Sequence, residues 1–172
     1  MLALESDRWS QLNASSGIGN GNFAAELLRQ IRAGQTEPYD ELGHQICHQM
    51  SVGEVAYAVV PHLVDLATNA APANRLKPLS LVGYVIASRA CLLSQAPEIP
   101  EGLLADYEAA VTHALPLALE SLRKTSWSPY DANHLIATVS ALHGRADVAM
   151  QLFLSSPDLT CPECGEYIRF TE

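Results

Sequence analysis

Residues 79–93 read Leu-Ser-Leu-Val-Gly-Tyr-Val-Ile-Ala-Ser-Arg-Ala-Cys-Leu-Leu. On a helix this run is apolar nearly all round, so it offers almost no face to water and must be wrapped by other elements. It is too short for the ~20 apolar residues of a membrane-spanning helix, and Arg89 interrupts it. A central buried helix over about residues 75–94 follows, with the rest of the chain folded around it.

The surrounding sequence supplies helices for that purpose. Alternating strand patterns are absent before residue 155, and alanine and leucine dominate. Asn22 is suited to capping a first helix whose stripe is Phe23, Leu27, Leu28 and Ile31, with Gly34 free to end it at positive φ. Pro38 suits the first turn of a second helix, with a stripe of Tyr39, Leu42, Ile46 and Met50. Ser51-Val-Gly-Glu54 fits a capping box for a third helix over 54–68, which Pro61 should bend or divide. Residues 97–100 form a connector. Helix is expected over 101–124, again with an internal proline, Pro116, then over 131–143 and 145–155, split near Gly144. The composition changes at Ser156, where Pro157, Cys161, Pro162, Cys164 and Gly165 mark a short non-helical tail.

At 172 residues the chain has the length of one domain, here a helical body over 1–155 with an appendage over 156–172. Hydrophobic residues make up 48% and charged residues 17%, which excludes disorder over most of it. The net charge of -9 argues against a general nucleic-acid binder and against an anionic membrane surface. Four scattered cysteines are too few for a disulfide scaffold, and the N-terminus lacks a basic region followed by an apolar one. A cytoplasmic setting is the expectation.

An internal likeness adds to this picture. Residues 59–65, Val-Val-Pro-His-Leu-Val-Asp, can be laid on 114–120, Ala-Leu-Pro-Leu-Ala-Leu-Glu, at an offset of 55 residues. That offset exceeds the roughly 40–47 residues of a HEAT or armadillo unit.

Several motifs point to one family. They are Trp9-x-x-Leu12, the Leu27-Leu28 pair, Glu41-Leu42 on a helix ending His48-Gln49-Met50, the step Val60-Pro61-His62-Leu63, and the tail Cys161-Pro-Glu-Cys164-Gly165. On these the chain resembles small bacterial HEAT-repeat-like proteins of poorly defined function. The likeness covers residues 1–70 and, by one motif, the tail. Met50 stands where that family has glycine. The resemblance implies an α-solenoid that binds a partner and implies no reaction.

The strongest local chemistry is Cys161-Pro-Glu-Cys164-Gly165. Two cysteines at this spacing can turn both sulfurs onto one metal, and Gly165 allows the tight turn. Thr160 and residues 167–170 would pair as a hairpin around it. This is half of a tetrahedral zinc site, to be completed by Cys47, Cys91, a histidine or a second copy of the tail in a homodimer. The alternatives are a relic knuckle without metal and a redox pair. If Cys161 and Cys164 hold zinc, protein purified without chelator will carry close to one metal per chain, or one per pair of chains. Less than a tenth of an equivalent would dismiss the site.

His44 and His48 have the spacing of a His-Glu-x-x-His zinc protease, with Cys47 three residues from His44. Gln45 replaces the glutamate and cannot act as general base. Two histidines at a helix C-terminus, favoured by the dipole, are the competing reading. No Gly-x-Ser-x-Gly elbow, Walker loop or dinucleotide fingerprint occurs, and Gly17-Ile-Gly-Asn-Gly21 reads as a linker. Glu98, Glu101, Asp106 and Glu108 read as a solvated face. Trp127, Tyr130 and His134 are candidates to line a groove or to staple a helix entry.

The expectation is therefore an all-α protein, a short HEAT-like α-α superhelix of about seven helices with a small C-terminal Cys-x-x-Cys hairpin. Its expected role is that of a non-enzymatic protein-binding module, a monomer or homodimer with a basic protein partner. A toxin-neutralising, immunity-type protein is one concrete form. A metal-dependent enzyme using His44 and His48 and a self-associating scaffold are the alternatives.

Overall fold

The computed structural model describes residues 1–15, 20–124 and 126–155, and the strands at 159–160 and 167–168. Seven α-helices lie within these residues: α1 (Gly21–Arg32), α2 (Pro38–Ile46), α3 (Val55–Asn69), α4 (Leu76–Cys91), α5 (Leu104–Lys124), α6 (Pro129–Leu142) and α7 (Ala146–Leu154). A two-residue hairpin, β1 (Cys47–His48) and β2 (Ser51–Val52), separates α2 from α3. The short strands β3 (Leu159–Thr160) and β4 (Tyr167–Ile168) pair antiparallel. Cys161 and Cys164, and with them the expected Cys-x-x-Cys hairpin, lie outside the described residues. The same is true of most of the Gly17–Gly21 linker. Among the described residues no helix is long and apolar enough to cross a membrane.

The helices pack in two rows. In one, α1 lies against α3 and α3 against α5; in the other, α2 lies against α4 and α4 against α6. Consecutive helices join the rows, and α7 closes the far end against α4 and α6. The main core runs between the rows from Trp9 to Leu135, and a smaller cluster of Ala87, Ala141, Ala149 and Met150 lies under α7. The central position expected for α4 is what its neighbours show, since it touches α2, α3, α5, α6 and α7. One side of it is only half-buried, at Ser80, Leu81 and Tyr84, and α3 is the more enclosed helix, with every residue from 55 to 64 buried.

That enclosure explains why Pro61 does not divide α3. The missing N–H removes one helical bond, while close packing on all sides holds the backbone in place. Pro116 likewise lies inside an unbroken α5. Positive φ at Gly34 (93°) and Gly144 (76°) ends α1 and α6 as expected.

Other local expectations are corrected. The cap of α1 is Asn20, whose side chain accepts from the Asn22 backbone N–H. Phe23 is exposed at 44%, and Ala24, Ala25, Leu27, Leu28 and Ile31 form the buried face instead. The second helix stops at Ile46, because Cys47 is extended and pairs with Val52. The turn then falls on Gln49 and Met50, both at positive φ (49° and 67°), a conformation for which glycine and asparagine are preferred. Ser51 lies in β2 and caps nothing. Glu54 instead accepts from the backbone and side-chain N–H groups of Asn13 (3.1 and 2.8 Å), tying the N-terminal segment to the start of α3.

Candidate functional site

The side chains singled out from sequence fare differently. His44, at the end of α2, and His48, on β1, do not share a helical face, yet the hairpin brings their rings edge to face at 5.8 Å. Both are exposed. Cys47 between them points inward, 4% exposed, and burial pushes its thiol up in pKa, away from the thiolate a metal needs. Among the described residues no group of three or more His, Cys, Asp or Glu side chains is placed to hold a metal. Glu98, Glu101 and Glu108 are exposed, as a solvated face requires, whereas Asp106 is half-buried and pairs with the Met1 ammonium. Trp127 packs on the main core and donates from Nε1 to the Ser121 carbonyl (3.1 Å), so it is a staple. Tyr130 and His134 do line a groove.

That groove is a cleft of about 340 Å³. α2 contributes Tyr39 and Asp40; α4 contributes Leu76, Lys77, Ser80, Leu81 and Tyr84; α6 contributes Tyr130, Asp131 and His134; α7 adds Phe153. Its volume lies at the lower end of the ~300–1,000 Å³ usual for ligand sites. One wall is a relay of rings. Tyr130 lies 4.5 Å from His134, His134 lies 5.6 Å from Phe153, and Phe153 meets Tyr84 edge-on at 5.5 Å. On the opposite lip the Lys77 ammonium sits 5.8 Å over the Tyr39 ring and donates to the Thr36 carbonyl at 3.4 Å. Beyond that pair a second groove of about 540 Å³ continues between α1, α3 and α4, sharing Tyr39, Leu76 and Lys77.

The polar groups of the cleft are two carboxylates, four hydroxyls, the His134 imidazole and the Lys77 ammonium. Ser80 Oγ is buried without a hydrogen-bond partner among the described residues. Asp40 has no hydrogen bond or ion pair among the described residues. Asp131 is held in place at the start of α6, accepting from Ser128 Oγ (2.9 Å) while its own backbone N–H donates to that oxygen (3.2 Å). Burial lowers the pKa of His134, partly opposed by Asp131, and so favours the uncharged imidazole, which keeps a lone pair.

Sequence reasoning found two members of this site, Tyr130 and His134, and missed Tyr39, Asp40, Lys77, Ser80, Tyr84, Asp131 and Phe153. A signal was there: Lys77, Ser80 and Tyr84 recur at i, i+3 and i+7, marking one side of an otherwise apolar helix.

A second histidine cluster is structural. His62 is 2% exposed; its Nε2 donates to the Leu2 carbonyl (2.9 Å) and its Nδ1 accepts from Arg32 (3.2 Å), which also pairs with Asp65 (2.7 Å). The bond from Arg32 requires the neutral ring, because a protonated Nδ1 has no lone pair to accept it. Burial, above the other influences, lowers its pKa below the ordinary 6.5. The unfolded chain therefore takes up this proton at higher pH than the fold does, and stability falls as pH drops below about 6.5. Urea midpoints at pH 7.5 and 5.5 check this: His62→Gln should show a smaller loss between the two than the wild type. An equal loss would remove His62 as a cause.

No protein-family model matches the chain, no curated protein matches it, and no solved structure matches it.

Proposed function

We propose that this chain is a non-enzymatic protein-binding module, a short α-α superhelix of HEAT-like type, with the cleft walled by α2, α4 and α6 as its binding face. One observation carries the reading. Three helices that alternate in sequence stand side by side along one row and share a single aromatic cleft. In α-solenoids such a row presents a continuous surface to a partner, because each repeat contacts only its neighbours. The internal likeness supports the repeat reading. Its two segments fall in α3 and α5, which pack together, and their terminal carboxylates each receive an arginine: Asp65 from Arg32 and Glu120 from Arg75, both at 2.7 Å.

The charge of -9 favours a basic partner and fast association at low salt. A toxin-neutralising protein is one form such a partnership takes. The two exposed histidines and the buried Cys47 give a metal-dependent hydrolytic reading no group of three ligands among the described residues.

The test is retention of a protein partner from the chain's own host by the full-length protein and by Tyr130→Ala, an exposed change in the cleft wall. Wild type should retain a partner reproducibly, and Tyr130→Ala should weaken it about tenfold, as for a central aromatic anchor. Repeated absence of any partner, or equal retention by both proteins, would overturn the reading.

A further inference from the structure

Resting on the binding reading above, we infer that the α2–α4–α6 cleft receives an arginine side chain from a basic protein partner. The walls are aromatic, and the polar groups other than Lys77 can each accept a hydrogen bond. The Asp40 carboxylate has no partner among the described residues, the Asp131 carboxylate is held at the rim, and the Ser80 hydroxyl oxygen is buried and unpaired. A guanidinium is the complementary group, being planar, always charged and composed of donors only, with five N–H groups and no acceptor. Its faces stack on aromatic rings and its edge forks onto carboxylates.

The cleft already shows what it does with a cation. Lys77, the chain's own, lies over Tyr39 at 5.8 Å with a long 3.4 Å bond to Thr36 and no carboxylate bound to it. Lys77 sits on the lip between the two grooves, so it competes with an incoming charge for the aromatic surface and repels it. Removing it leaves two carboxylates in the cleft with no opposing Lys or Arg among the described lining residues. The long-range field of a chain with net charge -9 adds attraction but no selectivity.

The probe is a fluorescein-labelled Gly-Arg-Gly-Arg-Gly peptide titrated with the intact chain at low salt and followed by anisotropy. Its counterpart carries citrulline, which keeps the shape of arginine but is neutral and bears an acceptor oxygen. The arginine peptide should bind at least tenfold tighter than the citrulline peptide. Asp40→Asn and Tyr130→Ala should each weaken it about tenfold, and Lys77→Met should tighten it several-fold. Circular dichroism checks that each variant keeps its helices. Equal binding of the two peptides would overturn the inference. Arginine-peptide binding that ignores Asp40→Asn and Tyr130→Ala would also overturn it, showing diffuse attraction to the acidic surface. Arginine amide binding as tightly as the peptide would replace the partner with a free small cation. If cleft substitutions still abolish retention of the host partner while arginine and citrulline peptides bind alike, the arginine assignment fails and the binding face stands. If neither assay responds to them, both fail.

Discussion

Trp9→Ala is expected to lower stability by about 3–5 kcal/mol, the range for truncating a fully buried aromatic. Trp9 is 0% exposed although it lies in a short 3₁₀ turn (Asp7–Gln11) ahead of the first helix. Its Nε1 donates to the Ala3 carbonyl at 2.8 Å, and its ring lies 5.9 Å from that of His62. Gly21 at the start of α1 approaches so closely that a Cβ there would fall within 2.3 Å of the Trp9 carbonyl oxygen. Truncation would leave a cavity in the core and remove the indole bond to the Ala3 carbonyl, which would keep only the Ser6 N–H (3.1 Å). Trp9→Phe should restore most of the packing but not the hydrogen bond, recovering all but about 1–2 kcal/mol. Urea unfolding measures both. A cost under about 1 kcal/mol for Trp9→Ala would mean that the N-terminal segment adds little to the core.

Gly83→Ala should be destabilising by about 2 kcal/mol, although alanine is the better helix former by about 1 kcal/mol. A Cβ on Gly83 would stand 2.7 Å from Thr138 Cα, 2.7 Å from its Oγ1 and 2.9 Å from its Cβ. The first of these is the backbone of α6, so relief requires the helices to part. Thr138 Oγ1 also lies within hydrogen-bond distance of both the Leu79 carbonyl (3.3 Å) and the His134 carbonyl (2.9 Å), at the point where α4 meets α6. Parting the helices there moves Tyr84 on α4 away from Tyr130 and His134 on α6, so any ligand of the cleft should lose affinity with the same substitution. Gly43→Ala is the control. Its Cβ would meet only the end of the Leu81 side chain at 3.2 Å, which can rotate aside. It should change stability by less than about 1 kcal/mol. If Gly43→Ala proves as costly as Gly83→Ala, the close approach of α4 to α6 is not the cause.

Much of the helical plan was legible because it depends on signals within one turn of chain. The glycines at 34 and 144 stop helices by allowing positive φ, and Pro38 starts one by fitting its first turn. The errors arose where a distant segment intervened. Ser51 and Glu54 have the spacing of a capping box, but Cys47 finds Val52 across a hairpin, and Glu54 finds Asn13. Phe23 sits at an apolar position of an amphipathic helix and faces water because small Ala24 and Ala25 fill the contact. Pro61 carries a strong local tendency to break a helix, overridden by packing around residues 55–64.

The candidate site was the least legible part. Its members come from four helices spread from Tyr39 to Phe153, and only Tyr130 and His134 lie close enough in sequence to suggest one another. The His44–His48 pair shows the reverse, a spacing that invites a metal but leads to two exposed rings with no third ligand among the described residues.

By itself the sequence determined that this chain is helical, acidic and built around an apolar segment, because periodicity, charge and turn residues act locally and survive any arrangement. The tertiary structure decided which side of that segment stays open. α4 is apolar nearly all round in sequence, yet Ser80 and Tyr84 border a cleft because α2 and α6 meet α4 without closing over it. Such a gap depends on how helices distant in sequence fit together, and contacts of that range leave no period in the chain.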